Sequence, residues 1–338
     1  MLNQKIVAQV DWIESHGADE VEAILSADGM PALIFHHSNQ SVGSRRWLDS
    51  EGYRLMQAFQ TESALGPMLG FLRKRGIEAI PIKLKPFFQV PNLRTDYQFD
   101  FLPGLDAEGY PQVRWQASHV EIHYHHKFLI DFEQAVLAMF LWHELAHVRM
   151  VFLAGAVLDE SQQLLQDYRA WPTASQLHDI VLAIHHLYIR SLGVSPNEAP
   201  LVERDIAVSM SMRNNFLHQN RVMAGLENAD PAEDLFWFIA RSLEYAFVLK
   251  VLQNDTLFTK VQAWLRGYMA FVYKDRPRDL AFVLKNGHAY AQAIFDLCFD
   301  PATGQLRTQG VFTSAMREVF MEIALEYELK RIIQNTRR

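Results

Sequence analysis

The apolar positions of this chain change their period about a third of the way along. Between residues 77 and 125 they alternate. Ile80, Ile82 and Leu84 form one run, and Tyr97, Phe99 and Phe101 form another before the Pro103-Gly104 turn. Val113 and Trp115 follow. Then Val120, Ile122 and Tyr124 alternate with His119, Glu121, His123 and His125. A period of two predicts strands with one buried face. Pro81 and Pro86 predict a short or edge strand, and Ala32 to Phe35 predicts another short strand after Pro31. Before and between these strands the pattern is helical. Two short helices broken at Gly17 are expected over residues 1–28, and a helix over about 46–75 is closed by Gly76.

From Asp131 the spacing becomes three and four. Asp131 to Ala154 is apolar, of helix length, and holds no Gly or Pro. Beyond Gly155 the pattern predicts helices over about 158–170, 174–192, 201–221, 231–253, 257–273, 279–298 and 314–335. Turn residues such as Trp171-Pro172 and Asp300 to Gly304 separate them. Asp230-Pro231 opens one of them, with an acceptor at the N-cap and proline in the first turn. The expected fold class is α+β: a small N-terminal mixed sheet flanking the helix of residues 131–154, followed by a mostly α-helical C-terminal half. The parts are 1–157 and 158–338, as two units or one continuous domain.

Composition narrows the function. A chain of 338 residues that is 49% hydrophobic can bury a sizeable core. A net charge of -7, without charge blocks, argues against binding nucleic acid or an anionic membrane through charge. One cysteine, Cys298, excludes an internal disulfide and a thiolate zinc cluster, as expected of a cytoplasmic protein. Residues 135–158 are apolar enough to span a bilayer. They carry His143, Glu144, His147 and Arg149, which are costly in lipid, so no membrane span is expected.

Those polar residues contain His143-Glu144-Leu145-Ala146-His147, an H-E-x-x-H pattern. With 14 histidines in the chain, composition predicts roughly 0.03 chance occurrences, so coincidence is a poor explanation. On a helix the two imidazoles share a face one turn apart and can reach one divalent ion, which suits Zn²⁺. Glu144 is about 100° round the helix, placed to take a proton from a metal-bound water. The alternative is a core helix with hydrogen-bonded histidines. His119, His123, His125 and His126 are read as a polar strand face.

Catalytic zinc needs a third protein ligand. Glu203, opening a helix in Glu203-Arg204-Asp205-Ile206-Ala207, is the leading candidate. Asp159, Glu160, Asp167, His178, His185 and His186 are its rivals. His218 or Tyr188 could stabilise an oxyanion. H-E-L-A-H on an apolar helix, with a later helix opening on Glu-Arg-acidic, resembles the gluzincin metallopeptidases. Within them it is similar to the Lit-type bacterial peptidases, which cleave a host translation factor. The resemblance covers under a tenth of the chain. It implies zinc on His143, His147 and Glu203, with Glu144 as general base, and a sheet whose edge strand, here Val120–His125, lines the substrate cleft. Where that family carries aspartate four residues after the ligand glutamate, this chain has Ala207. Asp205 lies about 200° round the helix from Glu203, so no carboxylate is assigned to orient a ligand imidazole.

The expected function is therefore a zinc metallopeptidase acting on a protein or peptide substrate. The alternative is a non-catalytic helical interaction or regulatory protein with a structural or vestigial metal site.

Overall fold

The structure is a computed structural model that describes residues 5–6, 21–26, 31–37, 62–77, 79–86, 94–105, 111–124, 134–224 and 229–336. The chain falls into two compact units. One comprises Met1–Arg149 with Ser195–Asp205, and the other Met150–Val194 with Ile206–Arg338.

Helix dominates the described residues, and the α+β expectation is corrected accordingly. The small N-terminal sheet expected beside the motif helix is corrected: the strands of the first third join in one sheet of six. The small sheet is in the helical unit: two strands, Phe299–Asp300 (β7) and Gln305–Leu306 (β8), pair antiparallel. In the first third, backbone pairing joins six strands in the order β1-β2-β3-β4-β6-β5. They are Lys5–Ile6 (β1), Val21–Ser26 (β2), Ala32–His37 (β3), Ala79–Pro86 (β4), Arg94–Leu105 (β5) and Pro111–Tyr124 (β6). Two details differ from expectation. Val21–Ser26 is a strand, not a helix. β6 lies between β4, its parallel neighbour, and β5, its antiparallel neighbour, so Val120–Tyr124 is not an edge. The side chains of these strands, including His119 and His123, lie outside the described residues, as do His125 and His126 altogether.

Helix α1 (Leu65–Lys74) ends on Gly76, whose φ of 84° is costly for any residue with a Cβ. Helix α2 (Gln134–Tyr168) carries the motif and runs on past Gly155. The backbone is non-helical at Ala154, so two helical stretches meet there at a kink, next to the break predicted at Gly155. The stretch Ala138–Tyr168 is long and apolar enough, by length and composition, to cross a membrane, and 56% of its most apolar window is buried inside the protein.

The remaining helices follow the predicted spans closely. They are Ala174–Ser191 (α3), Ala199–Ala224 (α4), Pro231–Arg241 (α5), Val248–Val251 (α6), Asp255–Val272 (α7), Pro277–Cys298 (α8) and Ser314–Asn335 (α9). A π-helical segment, Ser242–Phe247, joins α5 to α6. Asp230 caps α5 by accepting from the Ala232 N–H at 2.9 Å. The helical unit is packed by Leu177, Ile184, Leu187, Leu235, Phe238 and Ile239 among others, and by Phe247 stacked on Phe295 at 4.6 Å.

Candidate metal centre

The motif face of α2 is set by its apolar neighbours. Trp142, Leu145, Ala146 and Val148 are each at most 2% exposed. That phase leaves His143, Glu144 and His147 half-buried on the adjoining arc. The two imidazoles meet edge to face, with centroids 5.1 Å apart and ring planes at 71°. One helical turn separates them, as the i, i+4 spacing requires.

His143 is not free to rotate. Its Nδ1 lies 2.8 Å from Oδ2 of Asp205, a carboxylate only 4% exposed. A carboxylate acceptor at Nδ1 puts the ring proton there. Nε2 is then an unprotonated donor, the state in which an imidazole binds a metal. Aspartate behind a histidine also raises the basicity of the ligand nitrogen. Asp205, to which the sequence assigned no role, is therefore the carboxylate that orients His143.

Asp205 is delivered by the entry to α4. Ser195-Pro196-Asn197-Glu198 forms a turn just ahead of α4: Oε2 of Glu198 accepts the Ser195 N–H and hydroxyl, both at 2.9 Å. The other oxygen, Oε1, accepts the Trp142 indole N–H at 2.7 Å and Nη1 of Arg149 at 2.7 Å. Arg149 and Glu198 are 2% and 1% exposed, so this is a buried ion pair with every carboxylate lone pair in use. The Arg149 guanidinium also sits 5.7 Å from the Trp142 ring centre. Burial pulls the Arg149 pKa below its usual value while Glu198 opposes that shift. Arg204 adds a hydrogen bond to the Ala135 carbonyl at 3.1 Å. The S-x-x-E spacing was the sequence signal that could have marked Glu198.

Glu203, the proposed third ligand, is half-buried on α4. Two residues along a helix is about 200°, so Glu203 leaves α4 on the side opposite Asp205. Among the described residues no metal-binding group of three joins it to His143 and His147.

The rivals belong to the helical unit, and several are occupied there. Glu160 accepts the backbone N–H groups of Gly310, Val311 and Phe312 at 2.6, 2.8 and 3.0 Å. Asp167 pairs with Arg317. Nε2 of His185 meets the Ser161 hydroxyl at 2.9 Å. Nδ1 of His186 lies 3.4 Å from Glu244, a buried carboxylate that also pairs with Arg190 and Arg241. Asp159 and His178 are both exposed. Tyr188, considered as an oxyanion donor, is fully buried and gives its proton to the Arg307 carbonyl at 2.7 Å. The side chain of His218 lies outside the described residues.

The donor set of the motif, two imidazoles of which one is already held by a carboxylate, suits a borderline ion such as Zn²⁺. Compared with protein-family models, with curated proteins and with solved structures, the chain matches none.

Proposed function

We propose that this protein is a zinc-dependent hydrolase, most simply a cytoplasmic peptidase of the gluzincin kind acting on a protein or peptide. One observation carries the reading: Nδ1 of His143 is held by buried Asp205, which leaves Nε2 as the unprotonated ring nitrogen, one turn from His147. A ligand histidine almost always gives its other ring N–H to a carboxylate, a backbone carbonyl or a water, and Asp205 fills that place for His143.

His143 and His147 would hold the ion, which when bound lowers the pKa of its water and polarises a carbonyl. Glu144, adjacent on the helix, would take the water's proton and pass it to the leaving amine. Asp205 keeps the His143 tautomer fixed through both proton movements. Trp142, Leu145 and Val148 exclude water from the inner face of the helix. The phase of α4 turns Glu203 away from Asp205 and so argues against it as the acidic third ligand that the sequence suggested.

Glu144→Gln tests the mechanism. Purified variant and parent are compared for zinc content and for cleavage of a generic unfolded substrate such as casein. Equal zinc with turnover reduced by 10³-fold or more is expected, since an isosteric amide cannot accept the proton. Undiminished cleavage would remove Glu144 from the chemistry. Zinc without any cleavage by the parent would favour the non-catalytic reading. The same zinc measurement on Glu203→Ala and on His186→Ala sorts the third-ligand candidates. Glu203→Ala is expected to keep zinc within a few-fold, and a hundredfold loss would restore Glu203 as a ligand.

A further inference from the structure

The two residues that bracket the motif on the buried side of α2 are Trp142, just before His143, and Arg149, two beyond His147. Both donate to the same oxygen of Glu198. Glu198 stands at the start of α4, and Asp205 follows seven residues later. Seven residues bring a helix back to within about 20° of the same direction, roughly 10 Å further along. Glu198 and Asp205 therefore point from one face of α4 toward α2, the first onto Trp142 and Arg149, the second onto His143.

We propose that Glu198 is a positioning residue for the metal pair. By gripping α2 on both sides of His143 and His147 it sets the height at which α4 presents Asp205 to Nδ1 of His143. The chemistry suits the task. A carboxylate with all four lone-pair directions taken, by two side-chain donors and by the N–H and hydroxyl of Ser195, has a single geometry. A hydrophobic pair could bury as much surface, but its contacts would slide. The distance from Asp205 to His143 is 2.8 Å, and a shift of α4 by less than 1 Å would lengthen that contact beyond a hydrogen bond. The bonds to Ser195 alone would hold the turn before α4 without reaching Trp142 or Arg149, so the second oxygen of Glu198 serves something other than that turn.

Because this presupposes His143 and His147 as a metal pair, the experiment must separate the two ideas. Glu198→Gln keeps the size of the side chain and removes the charge and one acceptor. Trp142→Phe removes only the indole donor, as a milder version should the first variant fail to fold. Zinc dissociation constants are measured by competition with a chromophoric chelator on parent, Glu198→Gln, Asp205→Asn and the double variant. Glu198→Gln is expected to weaken zinc by about tenfold or more, in the range for outer carboxylates of metal sites. The double variant should be little weaker than Asp205→Asn alone, since Glu198 acts through Asp205. Unchanged zinc affinity in a less heat-stable Glu198→Gln, or fully additive losses, would reduce the clamp to a structural ion pair and overturn the proposal.

A parent that binds no zinc at all would instead refute the metal reading. The positioning role is then decided by the ¹⁵N chemical shifts of the His143 ring at fixed pH. A tautomer mixture in Glu198→Gln or Trp142→Phe, against one Nδ1–H tautomer in the parent, upholds it. Identical shifts in all three sink it.

Discussion

A single proton decides the state of His185. The Ser161 hydroxyl has one hydrogen, which it donates to the Leu158 carbonyl at 2.7 Å, so it must accept from Nε2 of His185. That fixes the Nε2–H tautomer and leaves Nδ1 to receive any further proton in a poorly solvated place. Burial, and then the neighbouring His178, push the pKa of His185 down to about 4. The unfolded chain, with a pKa near 6.5, takes up a proton that the native chain refuses. The neutral ring's contribution is thus fully present above pH ~6.5 and is lost as pH falls toward ~4. Melting curves between pH 7 and 4 should show this loss, on the order of 2–3 kcal/mol. His185→Gln, which keeps a donor to Ser161, should flatten the profile over that interval. An equally steep acid limb in the variant would assign the loss to other groups. Asp205→Asn is the matching residue-scale test at the motif. The amide cannot hold His143 as a carboxylate does, so zinc should bind about 10- to 100-fold more weakly. Unaltered affinity would deny Asp205 its orienting role.

Elements pack by what their residues lack as much as by what they carry. At Gly287 on α8, an added Cβ would lie 2.6 Å from Cδ1 of Phe238 on α5. Phe238 is fully buried, so its ring has nowhere to swing. Gly287→Ala would gain up to about 1 kcal/mol of helix propensity, while overpacking a buried ring costs about 1–3 kcal/mol. The clash should win, and the variant's melting temperature should fall. A rise would show that the α5–α8 contact can spread. The helices were readable from their periodicity because each is long and closed by its own caps, as Asp230 and Gly76 show. Strand identity was less so. Val21, Ile24 and Leu25 recur at helical spacing, yet backbone pairing with Ala32–His37 makes that stretch a strand. The place of β6 beside β4 rests on a parallel pairing that skips β5, which no local alternation of apolar residues encodes.

The same division between local and distant information runs through the whole molecule. H-E-x-x-H was legible because its geometry closes within one turn. Asp205 is hidden in the sequence because it lies about 200° round the helix from Glu203, and phase alone does not say which of the two is turned to the motif. Which of the two carboxylates faces α2 is set by the Glu198 contacts from another helix. Packing over long distances also controls the chain's one thiol. Cys298 closes α8 with no exposed surface, and burial pushes its pKa up to about 12. Only the thiolate reacts quickly with disulfide reagents, so native Cys298 should be silent to Ellman's reagent and titrate as one thiol per chain in denaturant. Labelling under native conditions then proceeds through transient opening of the helical unit and follows the population of the open form. Gly287→Ala, on the same helix, should speed labelling by the factor its destabilisation predicts, about tenfold for each 1.4 kcal/mol. His185→Gln should do so only if measured above pH ~6.5, where the native ring contributes. Rapid stoichiometric labelling of the unperturbed protein would show that the end of α8 opens without the rest of its unit, and that Cys298 reports local fraying rather than the core.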